Sequence, residues 1–386
     1  MKAATDQRSP AFTAVGSNAA RPALNGRTVT SIRGRSKAPS AMLAFLAALN
    51  DSQNVSSVPH PVHARNVRLV AAWQRWAALQ EGVHGQSLAD RVIAGPCYRY
   101  AQNVEAMEET ICADPIWKDG TLLGPAATDT LAMFATAPLM FWRRPHVLIE
   151  LTPSLAHLLA DSDLGGDIPV DQLRPPMPAC YILFGEAMKQ AIATPSEASV
   201  FNRIEGAYVF ESKRDNRRAI SVVAIYEIDV AVKLGVGFIE LMIDDEKMPL
   251  NEVIRRAFDP PDKPGYLKHY DTIVQLCCKV FLYGNLEQAR RIEESPFTDA
   301  IKQLDRVGPK KASKLRRQVE RLYDRVLLGP LALPGHAQRQ RGETATHWRR
   351  GHFRMQPHGP QMSLRKVIFI APVLVRADRL HALPTQ

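Results

Sequence analysis

The sequence predicts an α+β protein in which helices pack on a mainly antiparallel sheet, followed by a basic helix and a C-terminal β-hairpin module. Three observations predict it. Amphipathic helical patterns precede, separate and follow a set of short β-branched segments. Three of those segments succeed one another at meander spacing, which favours antiparallel pairing. Residues 301–386 join a helix-period basic stretch to two strand-like runs across Pro357-His358-Gly359-Pro360.

Charge divides the chain in the same places. The 386 residues carry a formal net charge of +10, yet residues 1–40 hold +6, residues 41–300 hold −9 and residues 301–386 hold +13. Three regions follow: a disordered basic arm over 1–40, a net-acidic α+β body over 41–300, and the basic helix with its hairpin module over 301–386. The arm is rich in Ala, Ser, Asn and Arg without a sustained apolar period, so it cannot bury enough surface to offset chain entropy. No run approaches the ~20 apolar residues of a bilayer-spanning helix. The five cysteines form no CxxC pair, which argues for a reducing compartment and against a zinc cluster or disulfide framework. The expectation is a soluble, cytoplasmic protein without a membrane partner.

In the body, Leu69, Val70, Trp73, Trp76 and Ala77 recur at helical spacing after Pro59 and Pro61. They predict a helix over Arg65–Glu81 with both tryptophans in the core. Val104, Met107 and Ile111 mark a second helix, and Leu131 and Phe134 a third that Pro138 is expected to close. At His146 the period changes. HVLIEL reads as a buried strand, and Thr152-Pro153 sets an N-cap with proline at the first helical position. Residues 178–184, 207–212, 219–228 and 236–243 are further strands, with the turn of the central hairpin at 215–218. A helix over Leu250–Phe258 follows. The longest apolar stripe, Ile273, Leu276, Cys277, Val280 and Phe281, predicts a helix over Tyr266–Tyr283. Within it Cys277 and Cys278 point about 100° apart, which suits one core and one flanking thiol better than a redox pair.

Motifs for chemistry are sparse. Gly235 and Gly237 sit between strand candidates and open no helix, and neither a GxxxxGK[ST] loop nor HExxH occurs. Glu150, Glu186, Glu240, Asp244 and Asp245 share no spacing that would link them as metal ligands. The acidic balance of the body suits a cationic peptide as partner. No catalytic residue, metal ligand or cofactor is assigned.

The basic region carries more positional information. Leu315, Val319, Leu322 and Val326 fall on one arc of a helix over Lys310–Leu328, and Lys310, Lys314, Arg317, Arg321 and Arg325 on another. Glu320 and Asp324 can neutralise part of that ribbon; the remaining cations suit phosphate contact, which supplies affinity without sequence choice. After a linker over residues 327–343, the run THWRRGHFRMQ places Arg350, His352 and Arg354 on one strand face and Arg349, Phe353 and Met355 on the other. Basic and aromatic groups sharing a strand surface occur in modules that stack bases and hold phosphates; the alternative is that Trp348 and Phe353 pack inward while the arginines are solvated. Val367 to Ile370 is apolar on both faces and is expected to be interior. His347, His352 and Lys366 are the residue types of metal-independent RNA cleavage, but residues five apart on a strand face opposite ways.

The ending HWRRGHFRMQPHGP…RKVIFIAPVLV resembles the C-terminal signature of a phage- and plasmid-borne family related to a type V-A anti-CRISPR protein that acts on biogenesis of the CRISPR effector nuclease. The positions that carry the resemblance are Arg349, Arg350, Gly351, His352, Phe353 and Arg354, then Lys366 to Ile370 and Pro372; Phe353 stands where the family commonly has tryptophan. The resemblance implies an inhibitor on a mobile element that recognises the N-terminal peptide of the effector during translation and leads to loss of its mRNA, near RNA or the ribosome. The binding residues expected are Arg349, Arg350, His352, Phe353, Arg354 and Lys366 of the C-terminal run, with Lys314, Arg317, Arg321 and Arg325 from the basic arc of the helix. A ribonuclease, metal-dependent or not, and a general RNA- or DNA-binding accessory protein stand as alternatives.

Overall fold

The computed structural model describes residues 37–84, 93, 95, 97–114, 125–192, 204–214, 217–228, 233–258, 267–304, 306–330 and 347–375. The basic arm lies outside them up to residue 36, as do Asp215 and Asn216 of the expected turn, residues 331–343 of the linker and the three residues that follow it.

Five helices open the described chain: α1 (Lys37–Ser52), α2 (His60–Asn66), α3 (Leu69–His84), α4 (Tyr100–Ala113) and α5 (Pro125–Arg143). The single helix expected over Arg65–Glu81 is two. Arg68 adopts φ 60°, a left-handed conformation that ends α2 before α3 begins. Trp73 and Trp76 are buried as expected, packed on Phe45. Nor does Pro138 close α5, which continues to Arg143. Leu139, Met140 and Phe141 beyond it are all buried, and that burial outweighs the ~3 kcal/mol that an interior proline costs a helix.

The next elements alternate: β1 (His146–Leu151), α6 (Pro153–Ala160), β2 (Ser162–Asp163), β3 (Ala179–Leu183), α7 (Glu186–Ile192), β4 (Ile204–Arg214), β5 (Arg217–Ile228), β6 (Lys233–Ile243), α8 (Leu250–Ala257) and α9 (Leu267–Gly284). The Thr152 hydroxyl caps α6 by accepting the Leu155 amide at 3.3 Å. In α9, Cys277 and Cys278 are both buried, so neither is a flanking thiol. Last come β7 (Arg291–Glu294), α10 (Pro296–Leu304), α11 (Pro309–Val319), β8 (Arg325–Leu328), β9 (His347–Arg349), β10 (Gly351–His358), β11 (Leu364–Ile370) and β12 (Val373–Val375).

The main sheet has seven strands in the order β6-β5-β4-β3-β1-β8-β7. Pairing is antiparallel from β3 to β6 and between β7 and β8, and parallel where β1 meets β3 and β8. Because side chains alternate along a strand, its two faces feed two cores. Ile149, Cys180, Ala207, Val209 and Val222 pack with α6 to α9 on one side; Leu148, Tyr181, Tyr208, Phe210 and Val223 pack with α1 to α5 on the other. Helices therefore cover both faces. β8 lies between β1 and β7, so the sheet extends across the boundary expected at residue 300.

That strand corrects the long basic helix. Helix α11 stops at Val319, and Arg325, expected on its ribbon, begins β8 instead. At and beyond the helix end α2 takes up the carbonyls: Arg65 Nη2 donates to those of Val319 at 3.4 Å and Leu322 at 2.9 Å, and Asn66 Nδ2 to that of Glu320 at 2.5 Å. Asp324 then accepts the Phe297 and Thr298 amides at 3.0 and 3.1 Å, capping α10 from a distant part of the chain.

The C-terminal hairpin is a kinked ribbon. His352 stands opposite Ile370 and Arg349 opposite Val373, one unbroken register across two ladders that part at Arg350 and at Ala371-Pro372. Gly351 permits the kink, since a Cβ there would lie 2.6 Å from Pro372 Cδ. The ribbon seats on the α6–α9 side. Phe353 is fully buried 4.7 Å from the Phe369 ring, β2 pairs with Gly351 and His352, and a Cβ on Gly165 would clash with the Phe353 carbonyl oxygen. The run 367–370, expected to be interior, is instead half-buried in the terminal strand of the three-stranded β11-β10-β2 sheet. Phe353→Ala should cost about 3–5 kcal/mol, read as a lower midpoint in chemical denaturation. A loss under about 1 kcal/mol would show that Phe353 does not anchor the ribbon.

Candidate nucleic-acid interface

The pleat sorts the ribbon into an inner and an outer face. Phe353, Met355 and Pro357, with Arg365, Val367 and Phe369 opposite them, form the inner side; His352, Arg354, Gln356 and His358, with Ile370, Ile368, Lys366 and Leu364 opposite, form the outer side. Arg354 and Lys366 are exposed, and His352 is partly so. Arg354 Nη2 donates to Gln356 Oε1 at 2.8 Å, which lays the guanidinium along the face. Arg350, beside the kink, is exposed and lies 3.8 Å from Asp163, a solvated contact of little energetic weight. The Arg349 side chain lies outside the described part of the ribbon.

Two expected binding residues are otherwise employed. Phe353 belongs to the core and presents no ring to a base. Arg325 bridges three elements: Nη1 reaches Glu150 of β1 at 2.6 Å and Nε reaches Glu294 of β7 at 2.7 Å. Partial burial works against its charge, but Glu294 and Glu150 together hold the guanidinium above its ordinary range. Lys314 and Arg317 on α11, and Arg321 just beyond it, are exposed. They lie apart from the ribbon, since the C-terminal end of α11 and the residues just after it dock on α2 at the α1–α5 side of the sheet, whereas the ribbon packs on the α6–α9 side. The basic residues thus form two surfaces.

The outer face does not assemble an acid–base pair. His352 and His358 share it, but six residues of strand separate them by roughly 20 Å, far beyond joint reach of one phosphate. The scattered carboxylates are likewise committed one by one. Glu150 holds Arg325, Glu240 accepts Arg99 at 2.7 Å and the Ser221 hydroxyl at 2.8 Å, Asp244 lies 3.4 Å from Arg217, and Glu186 lies 3.3 Å from Lys189. Among the described residues no group of His, Cys, Asp and Glu is placed to hold a metal ion, and no helix is long and apolar enough to cross a membrane.

A buried polar centre escaped the sequence reading. Glu205 Oε1 accepts both the His60 amide and the Tyr181 hydroxyl at 2.5 Å, and His60 Nδ1 lies 2.6 Å from the Tyr208 hydroxyl. His60 Nε2 is buried without a partner among the described residues. Burial pushes the Glu205 carboxyl up to about 7 against the opposing hydrogen bonds from Tyr181 and His60. Burial and the neighbouring His63 press His60 down to about 3. The available signal was a lone carboxylate beside an apolar strand run, and nothing local tied it to His60.

A family model described as AcrVA2-like, the anti-CRISPR type V subtype A2 family, matches residues 149–377, more than half of the chain. The chain belongs to that family, as the C-terminal resemblance implied. The matched span begins in β1 and includes the whole ribbon. Among solved structures, a crystal structure of AcrVA2 is similar over 88% of this chain and 97% of that one, at 12% identity and a TM-score of 0.40. No curated protein matches.

The buried centre makes stability depend on pH in opposed ways. Between about 4.5 and 7 the folded chain keeps a proton on Glu205 that the unfolded chain releases, so this group makes stability fall as pH rises. Between about 3 and 6.5 the unfolded chain protonates His60 while the folded chain does not, so stability rises with pH. The slopes oppose each other where the windows overlap. Glu205→Gln removes only the first. Melting temperatures of variant and parent, compared from about pH 5 to about pH 8, should show the variant gaining on the parent as pH rises. A constant difference would place the Glu205 proton elsewhere.

Proposed function

We propose that this anti-CRISPR-like chain blocks biogenesis of a CRISPR effector nuclease without itself being a nuclease. It engages the effector's N-terminal peptide during translation and brings about loss of the message, with the outer face of the C-terminal ribbon turned toward RNA. The observation that carries the reading is the position of Arg350, His352, Arg354 and Lys366. They stand accessible on the segment that matches the family, while the aromatic residues between and opposite them are spent on packing. Exposed cations on a strand face neutralise phosphates without reading bases, which suits an inhibitor whose choice of target lies in a peptide. Lys314, Arg317 and Arg321 offer a second basic surface beyond the sheet, for a different stretch of RNA or for the ribosome.

Joint replacement of Arg350, His352 and Arg354 by alanine separates this role from folding. All three side chains are at least partly accessible, so the melting temperature should move by no more than about 2 °C. In cells carrying a type V-A system, inhibition should be lost and effector mRNA restored. With single-stranded RNA, the slope of log affinity against log salt should fall by about 1.4, the share of two arginines. Unchanged inhibition by the folded variant would overturn the proposal.

A further inference from the structure

We infer that the free edge of β11 is a docking site for an extended peptide strand that is apolar at its N-terminal end and acidic at its C-terminal end, added antiparallel to the ribbon. The inference starts from a mismatch between sequence pattern and position. Val367-Ile368-Phe369-Ile370 is the pattern of a strand covered on both sides and paired at both edges. Among the described residues it is the terminal strand of its sheet, paired along one edge with β10 and half-buried throughout. Terminal strands are normally blunted by bulges, proline or inward charge because their unpaired amides and carbonyls template further strands. β11 runs in unbroken register with β10 from Leu364 to Ile370, and its charges, Arg365 and Lys366, are confined to one end.

Charge selects the occupant. Arg354, Arg365 and Lys366 are exposed, and none has a carboxylate within ion-pair distance among the described residues. A second copy of the chain would bring the same cations to the edge. The chain's own neighbouring stretches, 331–346 and 376–386, each carry two arginines against one acid. An acidic segment from another protein is the complementary choice. Strand addition takes affinity from main-chain hydrogen bonds and specificity from alternate side chains. An antiparallel guest places its first residues beside Ile370 and Ile368 and its last beside Lys366 and Arg365, hence apolar first and acidic last. The inference deepens the proposed function, on which it rests for the identity of the guest, by giving the peptide a main-chain edge to pair with; Arg365 serves the guest alone, while Arg354 and Lys366 are shared with the RNA-facing side.

The full chain is titrated with a labelled synthetic peptide of about ten residues, alternating valine and threonine in its first half and rich in glutamate in its second. Copies of reversed order and copies N-methylated at alternate amides complete the set. The parent peptide should bind, and the reversed copy should bind at least tenfold more weakly. One N-methylated set should lose binding while the other retains it. Arg365→Glu with Lys366→Glu should weaken the acidic peptide at least tenfold and favour a lysine-rich counterpart. Equal binding of both orders, or tolerance of both methylation sets, overturns strand addition. Self-association of the chain without peptide binding overturns it in favour of a second copy; binding of oligouridylate alone overturns it in favour of nucleic acid. Failure here and failure of the proposed function remain distinguishable. A chain that silences an effector but ignores every peptide loses the edge site alone, whereas one that binds the peptides but never inhibits loses the function alone.

Discussion

Burial of the seven-stranded sheet on both faces is the constraint to which the other features answer. Strands β1 and β3 to β6 must supply apolar side chains to two cores at once, so any polar group left inside has to be paired in place. Arg218 shows how fully this is met. Its guanidinium donates to both carboxylate oxygens of Glu246, at 2.9 and 2.8 Å, and to the carbonyls of Leu173 and Val170 at 2.6 and 2.8 Å. One side chain thereby ties the loop before β3 to the end of β6. Glu240 does the equivalent on the other face by receiving the Ala101 amide at 3.1 Å near the start of α4. The Glu205 centre meets the demand less completely: its carboxyl accepts from His60 and Tyr181 and burial favours its protonated form, yet His60 Nε2, like Trp73 Nε1 and Arg144 Nη1, is buried without a partner among the described residues.

The same constraint explains why the basic residues divide. Once helices cover both faces, a segment entering after α9 must dock against one helical layer or the other. Residues 296–330 join the α2 side through Arg65, whose guanidinium lies 4.0 Å from the Phe297 ring, while β8 completes the sheet beneath. The ribbon joins the opposite layer through Phe353, Phe369 and the pairing with β2. Lys279 closes that layer from within. Its ammonium donates to the carbonyls of Leu159 and Ser162, and burial lowers its proton affinity. A single nucleic-acid groove spanning α11 and the ribbon is therefore not available to this fold.

Much of the fold was legible because its signals are periodic. HVLIEL, the meander and the stripe of α9 were read at nearly their observed positions, since a two-sided apolar run or a 3.6-residue stripe is itself the packing requirement. The losses occurred where a distant partner overrides the local pattern. Leu322 and Val326 continue the apolar arc of α11, but Arg65 and Asn66 take up carbonyls beyond Val319 and Glu150 draws Arg325 into the sheet. Pro138 reads as a stop because the burial that carries α5 past it comes from other elements. On the ribbon, alternation put His352 and Arg354 on one face, as the strand register has them, but it could not show that Arg350 falls at the break between the two ladders or that Phe353 faces a core contributed by residues far away in sequence.

The division of labour within the ribbon has a consequence for family membership. Gly351 and Pro372 are required by the approach of the two strands at the kink, and Phe353 by the core beneath. These positions hold a shape: they set the path of the ribbon and seat it on the α6–α9 layer. They do not determine what the ribbon touches. That depends on accessible side chains which packing leaves free to vary, His352, Arg354 and Lys366 on the outer side with Arg350 at the break between the ladders, and separately on the main chain along the edge of β11. Relatives that keep the kink and exchange these residues would keep the scaffold and change its partner. The strand edge is the more constraining of the two surfaces, because a guest strand must satisfy backbone geometry and side-chain order together, whereas phosphates require only positive charge within reach.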